Sequence, residues 1–167
     1  NPELRLNRRD MNPNQACERT GDLTLLACDL GGTRLKVGVV RDGQVLARAI
    51  APAHSHEGLR PQLPLLKATW LRLLAELKPT LADCAGIAVA LPSLIDRHSG
   101  RILAAYGKYA DAMAVDFPAW GRAEFGLPLA IENDARMALL GEWRAGAGRG
   151  SDNLVMMTLG TGLGTAR

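Results

Sequence analysis

The sequence predicts an α/β protein built on a mixed sheet, and three observations carry that prediction. Short apolar runs of strand length are separated by longer segments with helical spacing. An Asp42-Gly43 pair joins two of the first three strand-type runs as a hairpin. Strand-type runs come first as a group and only then alternate with helices. A doubly wound dinucleotide domain would alternate from the start, so the early hairpin argues against that architecture.

Taken in order, Leu23 to Cys28 (LTLLAC) is a largely apolar run that reads as a buried strand, and Asp29-Leu30-Gly31-Gly32 follows as a tight turn. Arg34 to Val40 is a partly alternating second strand, and Gln44 to Ile50 returns as the third. Pro61 to Leu77 places Leu63, Leu66, Trp70, Leu73, Leu74 and Leu77 at three- and four-residue steps. That is an amphipathic helix, with proline near its first turn and Pro79 beyond its end. Ala85 to Ala90 is a fourth, fully buried strand. Asp116 caps a short helix through Phe125 that Gly126 closes. Pro128 to Ile131 is a fifth strand, Asn133 to Trp143 a helix, and Leu154 to Leu159 a last strand feeding the turn Gly160-Thr161-Gly162-Leu163-Gly164. Trp70, Trp120 and Trp143 are expected in the core.

Residues 1–22 are polar and aperiodic and read as an N-terminal arm. Residues 23–145 then form the principal lobe. The Gly- and Ala-rich stretch 146–153 reads as a linker, and 154–167 as the start of a second lobe. The chain opens on Asn1, with Met11 a candidate internal start.

At 167 residues the chain is long enough for one domain with a real core. Its 47% apolar content and mean hydropathy of -0.01 describe a globular protein. The 20 basic residues are scattered, with Arg5, Arg8 and Arg9 the nearest thing to a cluster, which argues against a nucleic-acid partner. Cys17, Cys28 and Cys84 are odd in number and lack metal-site spacing, as expected of reduced thiols in a cytoplasmic protein. No run approaches the roughly 20 apolar residues of a membrane span, and no signal peptide precedes Thr24.

Three segments carry chemistry. In Asp29-Leu30-Gly31-Gly32-Thr33 a carboxylate ends a buried strand and two glycines let backbone N–H groups approach a polyanion. Asp29 is a hard oxygen donor suited to Mg2+; the same residues would also make a plain capped turn. Gly160-Thr161-Gly162-Leu163-Gly164 repeats the design behind another strand, without being a Walker A loop. In Glu132-Asn133-Asp134 a strand hands over to a helix, which suits Asp134 to accept a proton from an attacking hydroxyl while Asn133 orients it. Simple helix capping by Asn133 or Asp134 is the competing reading.

DLGGTRLKVGVV, GIAVALPSLIDRHSGRI, GLPLAIENDARMALLGEW and LVMMTLGTGLGTA resemble, in that order, the ROK family of sugar kinases and related repressors, within the actin–hexokinase superfamily. The resemblance implies a ribonuclease-H-like lobe followed by a similar second lobe, with ATP and sugar in the cleft between them. Asp29, Gly31, Gly32 and Thr33 match the first phosphate motif, Asp29 being the implied Mg2+ ligand, with Lys36 counted among the nucleotide-binding residues. Gly160, Thr161, Gly162 and Gly164 match the second phosphate motif. Asp134 matches the catalytic base acting on a sugar hydroxyl, usually the 6-hydroxyl, and Asn133 a sugar-binding residue. A sugar substrate is implied, and dimers are common in the family.

This chain also departs from the family pattern. Pro92-Ser93 stands where members commonly have Pro-Gly, which makes Ser93 a substrate-contact candidate. The family's Asn-Leu-Pro-Gly-Trp sugar segment is replaced by Tyr106-Gly107-Lys108-Tyr109-Ala110-Asp111-Ala112. That stretch reads as a solvated loop in which Lys108 and Asp111 are the groups able to reach substrate. The family's later Glu and His sugar contacts and its cysteine-rich motif are expected beyond Arg167, and structural zinc only with them. His54 and His56 read as loop residues and His98 as exposed. Two other readings stand beside a kinase: a sugar-responsive regulator of the same family, or a truncated inactive piece.

Overall fold

The computed structural model describes residues 23–96, 99–159 and 163–167. The expected arm 1–22, with Arg5, Arg8, Arg9, Met11 and Cys17, lies outside the described residues, as do His98 and Gly160, Thr161 and Gly162.

The strands and helices run β1 (Thr24–Leu30), β2 (Arg34–Arg41), β3 (Gln44–Pro52), α1 (Leu63–Leu77), β4 (Cys84–Leu91), β5 (Ser93–Asp96), β6 (Arg101–Ala105), α2 (Phe117–Phe125), β7 (Leu129–Asn133), α3 (Asp134–Ala145), β8 (Met156–Leu159) and β9 (Leu163–Ala166). Five strands form one sheet in the order β3-β2-β1-β4-β7. β1, β2 and β3 are antiparallel neighbours, whereas β4 runs parallel to both β1 and β7. This is the mixed five-stranded sheet of the expected class.

Local chemistry explains the elements. Asp42 and Gly43 both take positive φ, 49° and 75°, as a two-residue hairpin with the strands' twist requires. β1 alternates strictly, with Thr24, Leu26, Cys28 and Leu30 buried on one face and Leu25, Ala27 and Asp29 half-buried on the other. α1 turns Leu66, Trp70, Leu73 and Leu74 inward. Trp70 is fully buried, donates from Nε1 to the Ala27 carbonyl at 3.2 Å, and packs edge-on against Phe125 at 5.7 Å between ring centres. α2 starts where the Asp116 carboxylate accepts from the Ala119 N–H and ends at Gly126, φ 70°. Gly121 lets it ride close on β7, since a Cβ there would sit 2.6 Å from Leu129 Cβ.

The structure adds elements that the sequence reading lacked. The β5–β6 hairpin has strands of only four and five residues, broken by an irregularity between Leu94 and Ile95, so no periodic signal accumulates. β9 is a four-residue Leu-Gly-Thr-Ala strand that pairs back on β8. Two expectations need correction. α1 begins at Leu63, after a 3-10 turn over Arg60–Gln62, because the first proline opens the tighter turn. Trp143 is not a core residue: it lies on the outer side of α3, 37% exposed, with Nε1 donating to the Ser151 carbonyl at 3.0 Å.

Among the described residues no helix is long and apolar enough to cross a membrane. Cys28 and Cys84 are both free and buried, and burial, then the charge of Asp29, pushes the Cys28 thiol far up.

Candidate functional site

Strand register assembles the site. Asp29 of β1 lies beside Ala90 of β4, Ala90 beside Glu132 of β7, and Leu91 beside Asn133. The C-terminal ends of three parallel strands therefore share one edge of the sheet, the edge at which open α/β sheets bind ligands. The turn after β1, the Pro92-Ser93 step after β4 and the Asn133-Asp134 step after β7 all leave from it.

The first turn is held tightly. A Cβ on Gly31 would lie 2.7 Å from the Arg34 carbonyl oxygen, and one on Gly32 would run into the Lys108 side chain. Neither adopts a positive φ; at Gly31 the close approach of backbone requires glycine, whereas at Gly32 the neighbour is the movable end of Lys108. The Gly31 carbonyl accepts from the Tyr109 hydroxyl at 2.8 Å and the Gly32 carbonyl from the Ser55 hydroxyl at 2.7 Å. The Thr33 carbonyl accepts from the Ala53 N–H at 3.1 Å. Asp29 forms an ion pair with Lys36 at 2.8 Å, both groups being substantially exposed.

The segment 106–112 is anchored, which corrects the expectation of a solvated loop. Tyr109 is fully buried and in the left-handed region, φ 53°. Burial, followed by Cys28 and Asp29, pushes its phenol far up, so the hydroxyl stays protonated and donates. The Asp111 carboxylate accepts from the backbone N–H groups of Leu59 and Arg60 and so serves the fold. Burial would raise its pKa, but those bonds and the Arg60 charge outweigh this and hold it below the ordinary carboxylate range.

At the third step, Asn133 Oδ1 accepts from the Arg136 N–H at 3.1 Å and caps α3. Its Nδ2 donates to the Ser93 carbonyl at 3.2 Å. Asp134 is half-buried in the first turn, with Oδ1 accepting from the Ala135 N–H at 2.8 Å. Ser93 is 2% exposed, and its hydroxyl has no hydrogen-bond partner among the described residues. An unpaired buried hydroxyl costs about 1–3 kcal/mol unless a water or ligand completes it. Gly164 of β9 approaches this corner, where a Cβ would lie 3.4 Å from Ala135 Cβ, one residue from Asp134.

The structure thus gathers Asp29, Gly31, Gly32, Thr33 and Lys36 with Lys108 at one end of the edge, and Ser93, Asn133, Asp134 and Gly164 at the other. Sequence reasoning missed Ser55 and Tyr109, since a serine in a loop and a tyrosine between Lys108 and Ala110 carry no spacing signal. Glycine at 31 lets the turn fold back on the Arg34 carbonyl, and such a turn carries backbone N–H groups of the kind that can receive phosphate oxygens. Asp29 suits Mg2+, which takes one or two carboxylates and shares its remaining sites with substrate phosphates and water. Among the described residues no group of three or more His, Cys, Asp or Glu could hold a metal by itself.

The ROK family model matches residues 25–166. The beta-glucoside kinase of Klebsiella pneumoniae is 36% identical over 146 residues, covering 86% of this chain and 46% of that protein. The inorganic polyphosphate/ATP-glucomannokinase from Arthrobacter sp. strain KM superposes with a TM-score of 0.65 at 29% identity, over 86% of this chain and 57% of its own. A ROK family transcriptional regulator, a homolog of the E. coli MLC protein, superposes with a TM-score of 0.70 at 23% identity, over 87% of this chain and 36% of its own, a likeness of fold. The chain spans about half the length of the curated relatives it matches.

Proposed function

Because the chain belongs to the ROK family, we propose that it supplies the phosphate-binding turn and the base of an ATP-dependent sugar kinase. The substrate is a hexose or N-acetylhexosamine, phosphorylated at O6. The observation that carries this reading is the shared strand edge, which joins a glycine cradle to a half-buried carboxylate at a helix start.

In this reading the N–H groups of Gly32 and Thr33 receive ATP phosphate oxygens, and Asp29 would hold the Mg2+ that offsets their charge. Asp134 holds Oδ1 on the Ala135 N–H and uses Oδ2 to take the proton from the sugar hydroxyl. The freed oxygen attacks the γ-phosphorus in line, the bond to the β-phosphate oxygen breaks, and ADP departs. Ser93 Oγ supplies a hydrogen bond to the sugar, and Asn133 the remaining capacity of its amide. Gly160, Thr161, Gly162 and Gly164 form the second phosphate turn, on a hairpin that begins the second lobe, with 146–153 the link to it.

Coupled ADP release by the full-length protein over a panel of hexoses and N-acetylhexosamines tests this. Asp134→Asn should lower kcat by about 10²- to 10⁴-fold while leaving the melting midpoint in place. Absence of turnover on every sugar, with sugar-dependent DNA binding, would instead establish the regulatory reading that the fold also allows.

A further inference from the structure

We propose that Tyr109 is a positioning residue of the first phosphate turn: with Ser55, it pins the Gly31 and Gly32 carbonyls and so aims the N–H groups of Gly32 and Thr33 at the nucleotide. Tyr109 has this role only within the kinase reading above.

The turn has a built-in conflict. Gly31 is needed for its close approach to the Arg34 carbonyl, yet two adjacent glycines leave the peptides of the turn free to rotate. A phosphate site requires fixed N–H directions, because donors that must reorient on binding lose much of their electrostatic advantage. Two hydroxyls resolve the conflict from behind. Tyr109 Oη donates to the Gly31 carbonyl at 2.8 Å and Ser55 Oγ to the Gly32 carbonyl at 2.7 Å. In a trans peptide the N–H points opposite to the preceding C=O, and no cis bond occurs among the described residues. Fixing those two carbonyls therefore turns the N–H groups of Gly32 and Thr33 to the opposite side, where among the described residues neither donates a hydrogen bond.

The two hydroxyls act as one unit. The Tyr109 N–H donates to the Ser55 carbonyl at 2.9 Å, linking the segment after β3 to the segment after β6. Asp111 ties the same two segments a second time through the N–H groups of Leu59 and Arg60. Tyr109 also sits at φ 53°, a conformation costly for a bulky residue and retained only where surroundings enforce it. A ring needed only to fill space would not require that backbone.

Tyr109→Phe keeps the buried ring and removes one oxygen. In the full-length protein the expected result is an ATP KM raised about three- to tenfold, the worth of one hydrogen bond. The sugar KM should stay within about twofold, a split that loss of packing alone would not produce. Ser55→Ala should shift the ATP KM in the same direction and Ser55→Thr, which keeps a hydroxyl, should restore it. This pair carries the test if Tyr109→Phe does not fold. An unchanged ATP KM in Tyr109→Phe and Ser55→Ala overturns the role of Tyr109 and leaves the kinase reading intact. Parallel rises in both KM values with a lowered melting midpoint overturn it as well, since the residues would then be structural. A wild-type protein that turns over no sugar with ATP overturns both.

Discussion

The strands that flank the two glycine motifs of this chain sit in opposite physical settings. The Gly31-Gly32 turn stands at the end of a strand buried between two others, with its carbonyls held by side chains from two further segments. Beside the second motif, β8 and β9 form a two-stranded sheet of their own that packs on α3. On β8 and the residue before it, Val155, Met157 and Leu159 are 72%, 64% and 88% exposed, an alternating apolar row. α3 adds Met137, Leu140 and Trp143 at steps of three, each more than a third exposed. The difference teaches that similar glycine motifs can leave strands with very different backing. β1 is backed by a finished core, while β8 and α3 carry apolar surface of the kind that another layer normally covers.

The largest effect is expected where the first turn's backing is removed. Trp70→Ala empties a fully buried site beneath β1 and leaves the Ala27 carbonyl without its donor. A loss of about 3–5 kcal/mol in denaturant unfolding is expected, enough to unfold a marginal domain. A loss below about 1 kcal/mol would mean that the sheet core does not organise the first turn.

Gly31→Ala against Gly164→Ala compares the turns directly. The new Cβ at 31 meets the Arg34 carbonyl at 2.7 Å, backbone that cannot step aside, and about 1–3 kcal/mol of destabilisation is expected. At 164 the nearest atom is Thr158 Oγ1, the end of a rotatable side chain, so a smaller cost is expected. Equal losses by thermal unfolding would break the comparison.

How much of this was legible in the sequence follows the same division. The sheet, the helix caps and the strand ends that lead into Asp29 and Asn133 were readable because they rest on local chemistry: alternation, an Asp-Gly hairpin, and Asp116 and Asn133 before helices. The β5–β6 hairpin and β9 were not, since strands of four or five residues give a periodic pattern too little length. The backing of the first turn was illegible for a deeper reason. Tyr109 meets Gly31 across 78 residues of chain and Ser55 meets Gly32 across 23, and no local pattern encodes a partner so distant. Trp143 was misread because helical spacing marks an apolar face without saying what lies against it.

The links between segments should also show a pH signature. The Asp111 carboxyl is held below its ordinary range in the folded state, so its contribution is present above the unfolded pKa and is lost as pH falls through the lowered value. Asp111→Asn should cost about 1 kcal/mol at neutral pH, and the gap from wild type should close in acid. Asp83, lowered by its backbone and side-chain bonds to Thr80, titrates in both proteins and cancels from the difference. A gap that stays constant into acid would show that the Asp111 charge contributes nothing.

The smallest effect probes the second turn. Leu159 is 88% exposed, so Leu159→Ser in residues 1–167 alone should change unfolding free energy by no more than about 0.5 kcal/mol. If β8 opens the second lobe of a longer protein, the same substitution there removes a buried side chain and should cost about 1.5–3 kcal/mol. The contrast between the two measurements reports on cover for the apolar row, because the mutated atoms are the same in both. A small effect in both would mean that the row stays open to solvent and that the second turn gains no support from a further layer.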